Sequence, residues 1–330
     1  MAAALIPYLD PPRYKLEDLP LLGDLSLEPF GILVGLGVLL GWRWCIHYAK
    51  VRDVNDWMAR DLLFWALVAA FVMAHWVSVV FYFPERIRED PWVLLYILNG
   101  LSSVGGFLGA FLAMIWFLRR KNNEPVLIYG DMIIMGLLLG WSFGRAGCAL
   151  VHDHPGQIVP EGTWLAVGPW PCKCPDGGGW LSACCSGTDG VFRYDLGLYE
   201  FVLTVWLALF AFFVFDWRNA HPGRLTGLVA LVYGPARMLL DFMREEVVSG
   251  RVSNPDPRYV GLTAAQWATL AITGAGAWLV WGRRALPSDL NYAKESERIA
   301  AHRAKSDPPS TSETRRSQAR DDDPPANSTP

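Results

Sequence analysis

The stretch VLIYGDMIIMGLLLGWSFGRAGCALV (126–151) decides the fold class of this chain. A helix that crosses a bilayer needs about 20 mostly apolar residues, and this stretch is long enough. A segment of this kind has to be helical, because the hydrocarbon interior cannot satisfy the hydrogen bonds of an open backbone. The sequence therefore predicts a transmembrane helix that carries Asp131 near one end and Arg145 near the other.

Other stretches have the same apolar character. The predicted spans cover residues 29–49, 62–83, 93–118, 126–151, 197–216, 224–242 and 262–281. The composition agrees, because 52% of the 330 residues are hydrophobic, 18% are charged and sixteen are Trp, which favours the headgroup boundary. We predict an all-α integral membrane protein with about seven transmembrane helices. The GxxxG spacing of Gly105 and Gly109 predicts close helix packing.

The distribution of Lys and Arg predicts the orientation. These residues are more frequent in the loops that share a side with the C-terminus, so we expect that side to be cytoplasmic and the N-terminus to be outside. Residues 1–28 are predicted to form an outer segment without a cleavable signal peptide. Residues 29–284 form the predicted membrane domain, with a Cys-rich outer loop over 157–195. Residues 285–330 are too polar for a core, and we expect a disordered cytoplasmic tail.

Several ionisable residues lie in or beside the predicted spans, where a charge is costly and usually functional. Those near the outer ends are Arg145, Asp153, Glu200, Arg237, Asp241 and Arg244. Arg237 and Asp241 are four residues apart and share a helix face. The pair alone is explained equally well by an internal salt bridge. Two or three arginines that converge with carboxylates at one boundary favour an anionic headgroup, because Arg binds phosphate bidentately.

Histidines and cysteines give weaker indications of chemistry. His75 stands alone in a span and favours a packed, hydrogen-bonded histidine over a catalytic one. The HDH run at 152–154 lacks metal-site spacing, so we predict neither a metal nor a cofactor. Four cysteines of the outer loop favour disulfides over zinc: Cys172, Cys174, Cys184 and Cys185. Cys45 and Cys148 lie in spans, where small apolar residues are expected.

The ordered motifs resemble the prolipoprotein diacylglyceryl transferase family. The segments that carry the resemblance are GLSSVGGFLG (100–109), GRAGCALVHDHPG (144–156), LYE (198–200), YGPARMLLDFMRE (233–245) and GLTAAQWATL (261–270). Residues on family positions are Arg145, Gly147, Asp153, Gly156, Tyr199, Glu200, Tyr233, Arg237, Asp241 and Arg244. Val104 stands where the family has a His implicated in activity, and Cys148 stands where it has Asn. Residues 194–197 replace a His-Pro-x-Gln segment, and Asp153 and Asp241 replace Glu.

The resemblance implies transfer of a diacylglyceryl group from phosphatidylglycerol to a cysteine thiol in a prolipoprotein. The residues implied to bind substrate are Arg145, Arg237, Asp241, Arg244, Glu200 and Tyr199. The candidate catalytic residues are His152, Asp153, His154 and Tyr233, and a histidine or Asp153 is expected to replace the missing base at Val104. The implied location is the bacterial cytoplasmic (inner) membrane.

Two other functions stay open at the level of sequence. The first is an inactive or re-purposed paralogue that binds an anionic lipid without transfer, which the loss of the His at Val104 favours. The second is a transporter or channel, which the absence of paired broken repeats disfavours. A nucleic-acid partner is not expected, because the net charge is −3 and no clustered basic face is visible.

Overall fold

The computed structural model describes residues 6–9, 11, 14–19, 23–27, 29–95, 101–121, 126–170, 190–244, 258–282 and 301. Eight α-helices fall in these ranges: α1 Pro29–Val51, α2 Asp56–Val77, α3 Glu85–Glu89, α4 Ser103–Arg120, α5 Val126–Val151, α6 Leu196–Leu209, α7 Arg224–Phe242 and α8 Ala264–Val280. A π-helical turn extends α2 over Ser78–Tyr82, and another extends α6 over Phe210–Val214. A 3-10 helix follows α3 over Pro91–Leu95.

Within the described ranges, six helices are long and apolar enough to cross a membrane. They are Pro29–Val51, Asp56–Phe81, Ser103–Arg120, Val126–Val151, Leu196–Val214 and Arg224–Phe242. The predicted third span, 93–118, begins later than expected, because α4 starts at Ser103. Helix α8 has 17 residues and is shorter than these six. Large apolar side chains such as Leu39 and Phe213 point outward along the helices, as expected of a protein that faces lipid.

Glycines let the helices approach closely, as the GxxxG spacing predicts. A Cβ on Gly105 or Gly109 would lie 2.4 Å from a backbone oxygen of α2, so α2 and α4 pack backbone to backbone there. Gly136 of α5 is held against Gly41 of α1 in the same way, where a Cβ would come 2.6 Å from the Gly41 oxygen. The predicted close packing at Gly105 and Gly109 is confirmed.

Polar side chains at four helix starts satisfy backbone N–H groups that no intrahelical carbonyl reaches. Asn55 caps α2, Ser102 caps α4 and Asp195 caps α6. Thr263 and Gln266 form a capping box at the start of α8. These caps fix the residues at which α2, α4, α6 and α8 begin.

Short strands accompany the helices, so the chain is less purely α-helical than the sequence predicts. A first hairpin pairs β1 Tyr14–Leu19 with β2 Gly23–Leu27, and a short one pairs β6 Arg258–Tyr259 with β7 Leu262–Thr263. The predicted outer loop 157–195 instead contributes to a three-stranded antiparallel sheet, in the order β3–β5–β4, from β3 Pro155–Val159, β4 Val167–Trp170 and β5 Val191–Asp195. The four loop cysteines and the predicted tail fall outside the described residues, except for residue 301.

The three-stranded sheet ties the ends of the helices together. The Gln157 N–H donates to the Met243 carbonyl at 3.0 Å, and Gly156 forms a β-bridge with Arg244. The sheet therefore joins the segment after α5 to the segment after α7. Near the N-terminus, Ile6 pairs with Val167 of β4.

Two charged or titratable side chains predicted in the spans have structural partners. Asp131 is buried, and its carboxylate accepts from the Gly223 N–H at 2.7 Å and from the N–H and hydroxyl of Thr226 at 2.8 and 2.6 Å. Gly223 is the N-cap of α7 and has no side chain to satisfy this helix end, so Asp131 supplies the cap from α5. His75 is fully buried and bonds the Val93 carbonyl at 2.8 Å, which confirms the prediction of a packed histidine.

Candidate active site

Glu200 is the centre of a charge cluster that also contains Arg145, Arg237, Asp241 and Arg244. It lies in the second turn of α6 and is 2% exposed. Its Oε1 meets Arg145 Nη2 of α5 at 3.0 Å and accepts the hydroxyl of Tyr233 of α7 at 2.5 Å, while Oε2 lies 3.6 Å from Arg237 Nε. One carboxylate thus joins three helices through two guanidinium groups and a phenol.

A second buried carboxylate, Asp241, continues the cluster along α7. Its Oδ1 lies 3.1 Å from Arg237 Nη1 and 3.5 Å from Arg244 Nε, as the four-residue and three-residue spacings predict. Its Oδ2 accepts the Thr263 hydroxyl at 2.7 Å, and Thr263 is the capping residue of α8. Asp241 therefore holds the arginines of α7 against the start of the last helix.

The cluster combines three arginines with three carboxylates. Arg145, Arg237 and Arg244 pair with Glu200 and Asp241, and Asp153 lies beside Arg145 through His154. Arg145 is 6% exposed, and its Nε has no hydrogen-bond partner within the described part of the chain. Its guanidinium also lies over the Trp141 ring at 4.6 Å. A buried guanidinium with an open donor is suited to an anionic ligand.

A carboxylate–imidazole pair lies next to Arg145. Asp153 Oδ1 meets His154 Nδ1 at 2.5 Å, and His154 Nε2 lies 3.5 Å from Arg145 Nη1. An arginine can only donate, so this contact assigns the lone pair to Nε2 and the proton to Nδ1, which donates to Asp153. Both side chains are partly exposed, with 26% of His154 and 39% of Asp153 accessible. The basic nitrogen of His154 is thus turned toward the cationic cluster.

Cys148, Asp153 and His154 also form a possible set of metal ligands, since their donor atoms all lie within 4.8 Å of one another. However, Arg145 Nη1 contacts Cys148 Sγ at 3.7 Å and His154 Nε2 at 3.5 Å. The guanidinium therefore already occupies the position of a cation beside two of the three donors. A metal would have to displace it, and we assign none to this set.

Comparison with known proteins identifies the family. Residues 19–282 match the family model described as prolipoprotein diacylglyceryl transferase, which is most of the chain. The chain belongs to this family. It is 28% identical over 264 residues to a protein of Nitratidesulfovibrio vulgaris strain DP4 named phosphatidylglycerol–prolipoprotein diacylglyceryl transferase, covering 78% of this chain and 91% of that protein. A protein of the same name from Azospirillum brasilense is 26% identical over 301 residues, covering 87% and 99% of the two chains.

The structure shows where the departures from the family pattern lie. Val104, at the position of the family's His, is half-buried in the first turn of α4. Cys148, at the position of the family's Asn, is buried in the last turn of α5 and touches Arg145. Val104 cannot act as a base. Among the described residues, the imidazole that contacts Arg145 is that of His154, which follows α5.

Two predicted site residues are occupied with other parts of the chain. His152 contacts Asp195 Oδ2 at 2.5 Å and the Leu9 carbonyl at 2.9 Å, so both of its ring nitrogens are engaged. The Tyr199 hydroxyl donates to the Leu165 carbonyl at 2.5 Å and tethers the loop between β3 and β4 to α6. These two side chains stand beside the charge cluster and support the elements that carry it.

Two members of the site were not predicted from the sequence. Thr263 would have been found from its spacing to Gln266, because Thr-x-x-Gln before an apolar run is a capping box. Asp195 precedes the LYE segment, and an aspartate directly before a helix indicates an N-cap. The pairing of Asp195 with His152, across 43 residues, leaves no local signal in the sequence.

Proposed function

We propose that this protein transfers the diacylglyceryl group of phosphatidylglycerol to a cysteine thiol in a prolipoprotein signal segment. The observation that carries the proposal is the buried guanidinium of Arg145, whose Nε has no hydrogen-bond partner among the described residues and whose Nη1 contacts a carboxylate-supported imidazole. The guanidinium suits a phospholipid phosphate, and the imidazole suits the proton of a thiol. The names of the relatives in the family support the same substrates.

Arg145 and Arg237 are the residues proposed to hold the lipid phosphate. They lie on α5 and α7 and share Glu200, which keeps both guanidinium groups turned to one side. Asp241 orients Arg237 from the other end, and Arg244 adds a cation at the rim. Fixed donors of this kind stabilise the negative charge that develops on a departing phosphate without having to reorganise. The Tyr233 hydroxyl fixes the Glu200 carboxylate between them.

His154 is proposed as the base that replaces the missing family histidine. Its Nε2 makes a long contact of 3.5 Å with Arg145, which the acceptor thiol replaces; Nε2 then takes the thiol proton, and the thiolate is the nucleophile. The sulfur forms a bond to the glyceryl carbon that carries the phosphate, the carbon–oxygen bond breaks, and glycerol phosphate leaves with the electron pair. Asp153 stabilises the imidazolium that results. Atoms and charge balance with no cofactor, since the products are a thioether, glycerol phosphate and one proton.

We place the site at the outer face of a bacterial inner membrane. The end of α5, the start of α6, the end of α7 and the start of α8 all contribute to one cluster, so all four lie on the same side. The excess of Lys and Arg in the loops on the opposite side supports an outer location for this side. Helix α8, which packs along α7 through Gly227 and Gly276, is the proposed seventh span, which leaves the C-terminus in the cytoplasm.

The test is transfer in reconstituted vesicles. Purified protein is mixed with phosphatidylglycerol that carries a labelled diacylglyceryl group and with a prolipoprotein peptide that contains the acceptor cysteine, and the thioether product is measured by mass spectrometry. We expect product from the wild type, none from an acceptor with serine in place of cysteine, and product about 10³-fold more slowly from Arg145→Ala. Retention of phosphatidylglycerol without any product would instead favour a lipid-binding family member that has lost transfer, which the Val104 substitution would then explain.

A further inference from the structure

The turn after α5 has an unusual backbone. His152, the first residue beyond the helix, has φ of +51°, a left-handed conformation that a residue with a Cβ adopts at a cost. The turn brings Asp153 and His154 back over the last turn of α5, where they lie within 4.8 Å of Cys148 Sγ. The position of the proposed base therefore depends on a conformation that the local chain does not favour by itself.

His152 is held in this conformation from both ends of its ring. Nδ1 contacts Asp195 Oδ2 at 2.5 Å, and Nε2 contacts the Leu9 carbonyl oxygen at 2.9 Å. The two ring nitrogens therefore face acceptors on two different parts of the chain. The ring also stacks on Tyr8, with centroids 4.2 Å apart and planes 22° apart.

Asp195 connects this turn to the helix that carries Glu200. It is fully buried, and its second oxygen accepts the Leu198 N–H at 3.0 Å as the N-cap of α6. One carboxylate therefore fixes the end of α5 and the start of α6, which bear the two members of the Arg145–Glu200 ion pair. Removal of the imidazole would leave one oxygen of this buried carboxylate without its partner, which is unfavourable.

We propose that His152 is a positioning residue, which locks the turn that presents Asp153 and His154 by pairing with Asp195 and with the backbone of the N-terminal segment at Leu9. The role in transfer rests on the proposed function, whereas the role in holding the turn does not. His152 does not touch the proposed substrate position. Its effect on the reaction is exerted through His154, and the lipid-binding arginines are outside its direct contacts.

Cys148 provides a reporter for this lock, because its thiol is buried beneath the turn. The wild type, His152→Asn and His152→Gly are treated with a water-soluble maleimide in detergent micelles, and mass spectrometry follows labelling of each cysteine with time. Asn and Gly both tolerate positive φ, so neither strains the backbone, but neither reproduces the two contacts. We expect Cys148 to label about tenfold faster in both variants as the turn opens locally.

The controls separate a local lock from general destabilisation. Cys45 is buried in α1 and donates to the Met132 carbonyl, so its labelling reports opening of the helix bundle. His47→Asn replaces an exposed histidine of the same helix and should leave both rates unchanged. Equal Cys148 labelling in wild type and either His152 variant would overturn the proposal, and so would a parallel rise at Cys45. The assay needs no acceptor and no transfer, so its outcome stands even if the proposed function fails.

Kinetics give the second readout. In the transfer assay we expect both His152 variants to lose about 10²-fold in kcat, the effect of a misplaced reactive group, with KM for phosphatidylglycerol unchanged. A rise in KM with kcat unchanged would assign His152 to lipid binding and contradict a role through His154.

Discussion

The protein buries charged side chains at both ends of its helix bundle, and the two groups are built differently. At one end, Asp131 accepts only from neutral donors, the backbone and hydroxyl groups at the start of α7. The two terminal nitrogens of Arg52 donate to the carbonyls of Arg218 and Ala220, which lie just before the start of α7. At the other end, Glu200 is paired with the guanidinium groups of Arg145 and Arg237, which come from two other helices.

The difference shows how a buried charge in a membrane protein is to be interpreted. Burial alone does not distinguish Asp131 from Glu200, since both are almost inaccessible. The distinguishing property is the charge of the neighbours. Both oxygens of Asp131 accept from neutral donors at a helix start, whereas Glu200 is paired with two cationic guanidinium groups. The following predictions test this contrast, from the largest expected effect to the smallest.

Arg145→Ala should nearly abolish transfer. The substitution removes the guanidinium that contacts both Glu200 and His154, and we expect kcat to fall by about 10³-fold, because removal of one fixed donor to a developing anion has effects of this size. Transfer assays in vesicles measure the effect. Arg119→Ala, at the far end of α4, is the matched control and should keep wild-type activity. Similar losses in both variants would show that any buried or boundary arginine matters equally.

His154→Ala should lower kcat by about 10²-fold, the usual contribution of a positioned general base, and should leave retention of phosphatidylglycerol unchanged. Lipid retention should not change, because the guanidinium groups of Arg145 and Arg237, and not the imidazole, are proposed to bind the phosphate. His47→Asn serves as the control. Wild-type kcat in His154→Ala would mean that another group accepts the thiol proton.

Asp131→Ala should reduce stability and spare the chemistry. It leaves the Gly223 N–H and the Thr226 N–H and hydroxyl without their acceptor, a loss of about 1–3 kcal/mol. Thermal unfolding in detergent should show a lower Tm, while kcat per folded molecule stays within about twofold of wild type because the site is at the opposite helix ends. The comparison would be refuted if Asp131→Ala lost transfer at unchanged Tm.

Cys148→Asn, which restores the residue of the family pattern, should have the smallest effect. The Cys148 thiol makes a long contact of 3.7 Å to Arg145, so its replacement by the amide of the family pattern should change kcat by less than about threefold. The transfer assay checks this. A large gain in kcat would show that the cysteine limits this family member, and a large loss would give the thiol a role that its contacts do not suggest.

The sequence predicted the charged residues of the site more completely than their connections. Arg145, Glu200, Arg237 and Asp241 stood out because a charge within an apolar segment is costly, and the spacing of Arg237 and Asp241 already placed them on one helix face. Which carboxylate serves which arginine depends on how α5, α6 and α7 pack. Glu200 was therefore expected near the site, and its central position between two arginines became visible only in the fold.

The role of His152 and the three-stranded sheet could not be predicted either, because both depend on contacts between distant parts of the chain. His152 and His154 are the same residue type and flank Asp153, so the sequence alone cannot tell which histidine is the base and which one supports the turn. Their separation arises from the positive φ of His152 and from Asp195 on a distant strand. The strands β3, β4 and β5 are only four or five residues long, and their hydrophobic pattern is too short to be recognised within a polar loop.

The most direct test of the central claim is retention of lipid by the two charge groups, measured by native mass spectrometry of protein released from detergent. The wild type and Asp131→Asn should carry bound phosphatidylglycerol, whereas Arg145→Ala and Arg237→Ala should lose most of it, because these two guanidinium groups are the ones proposed to bind the phosphate and Asp131 is paired with neutral donors. Equal occupancy in all four proteins would show that the arginines serve helix packing alone, and would contradict the assignment of the arginine cluster as the lipid site.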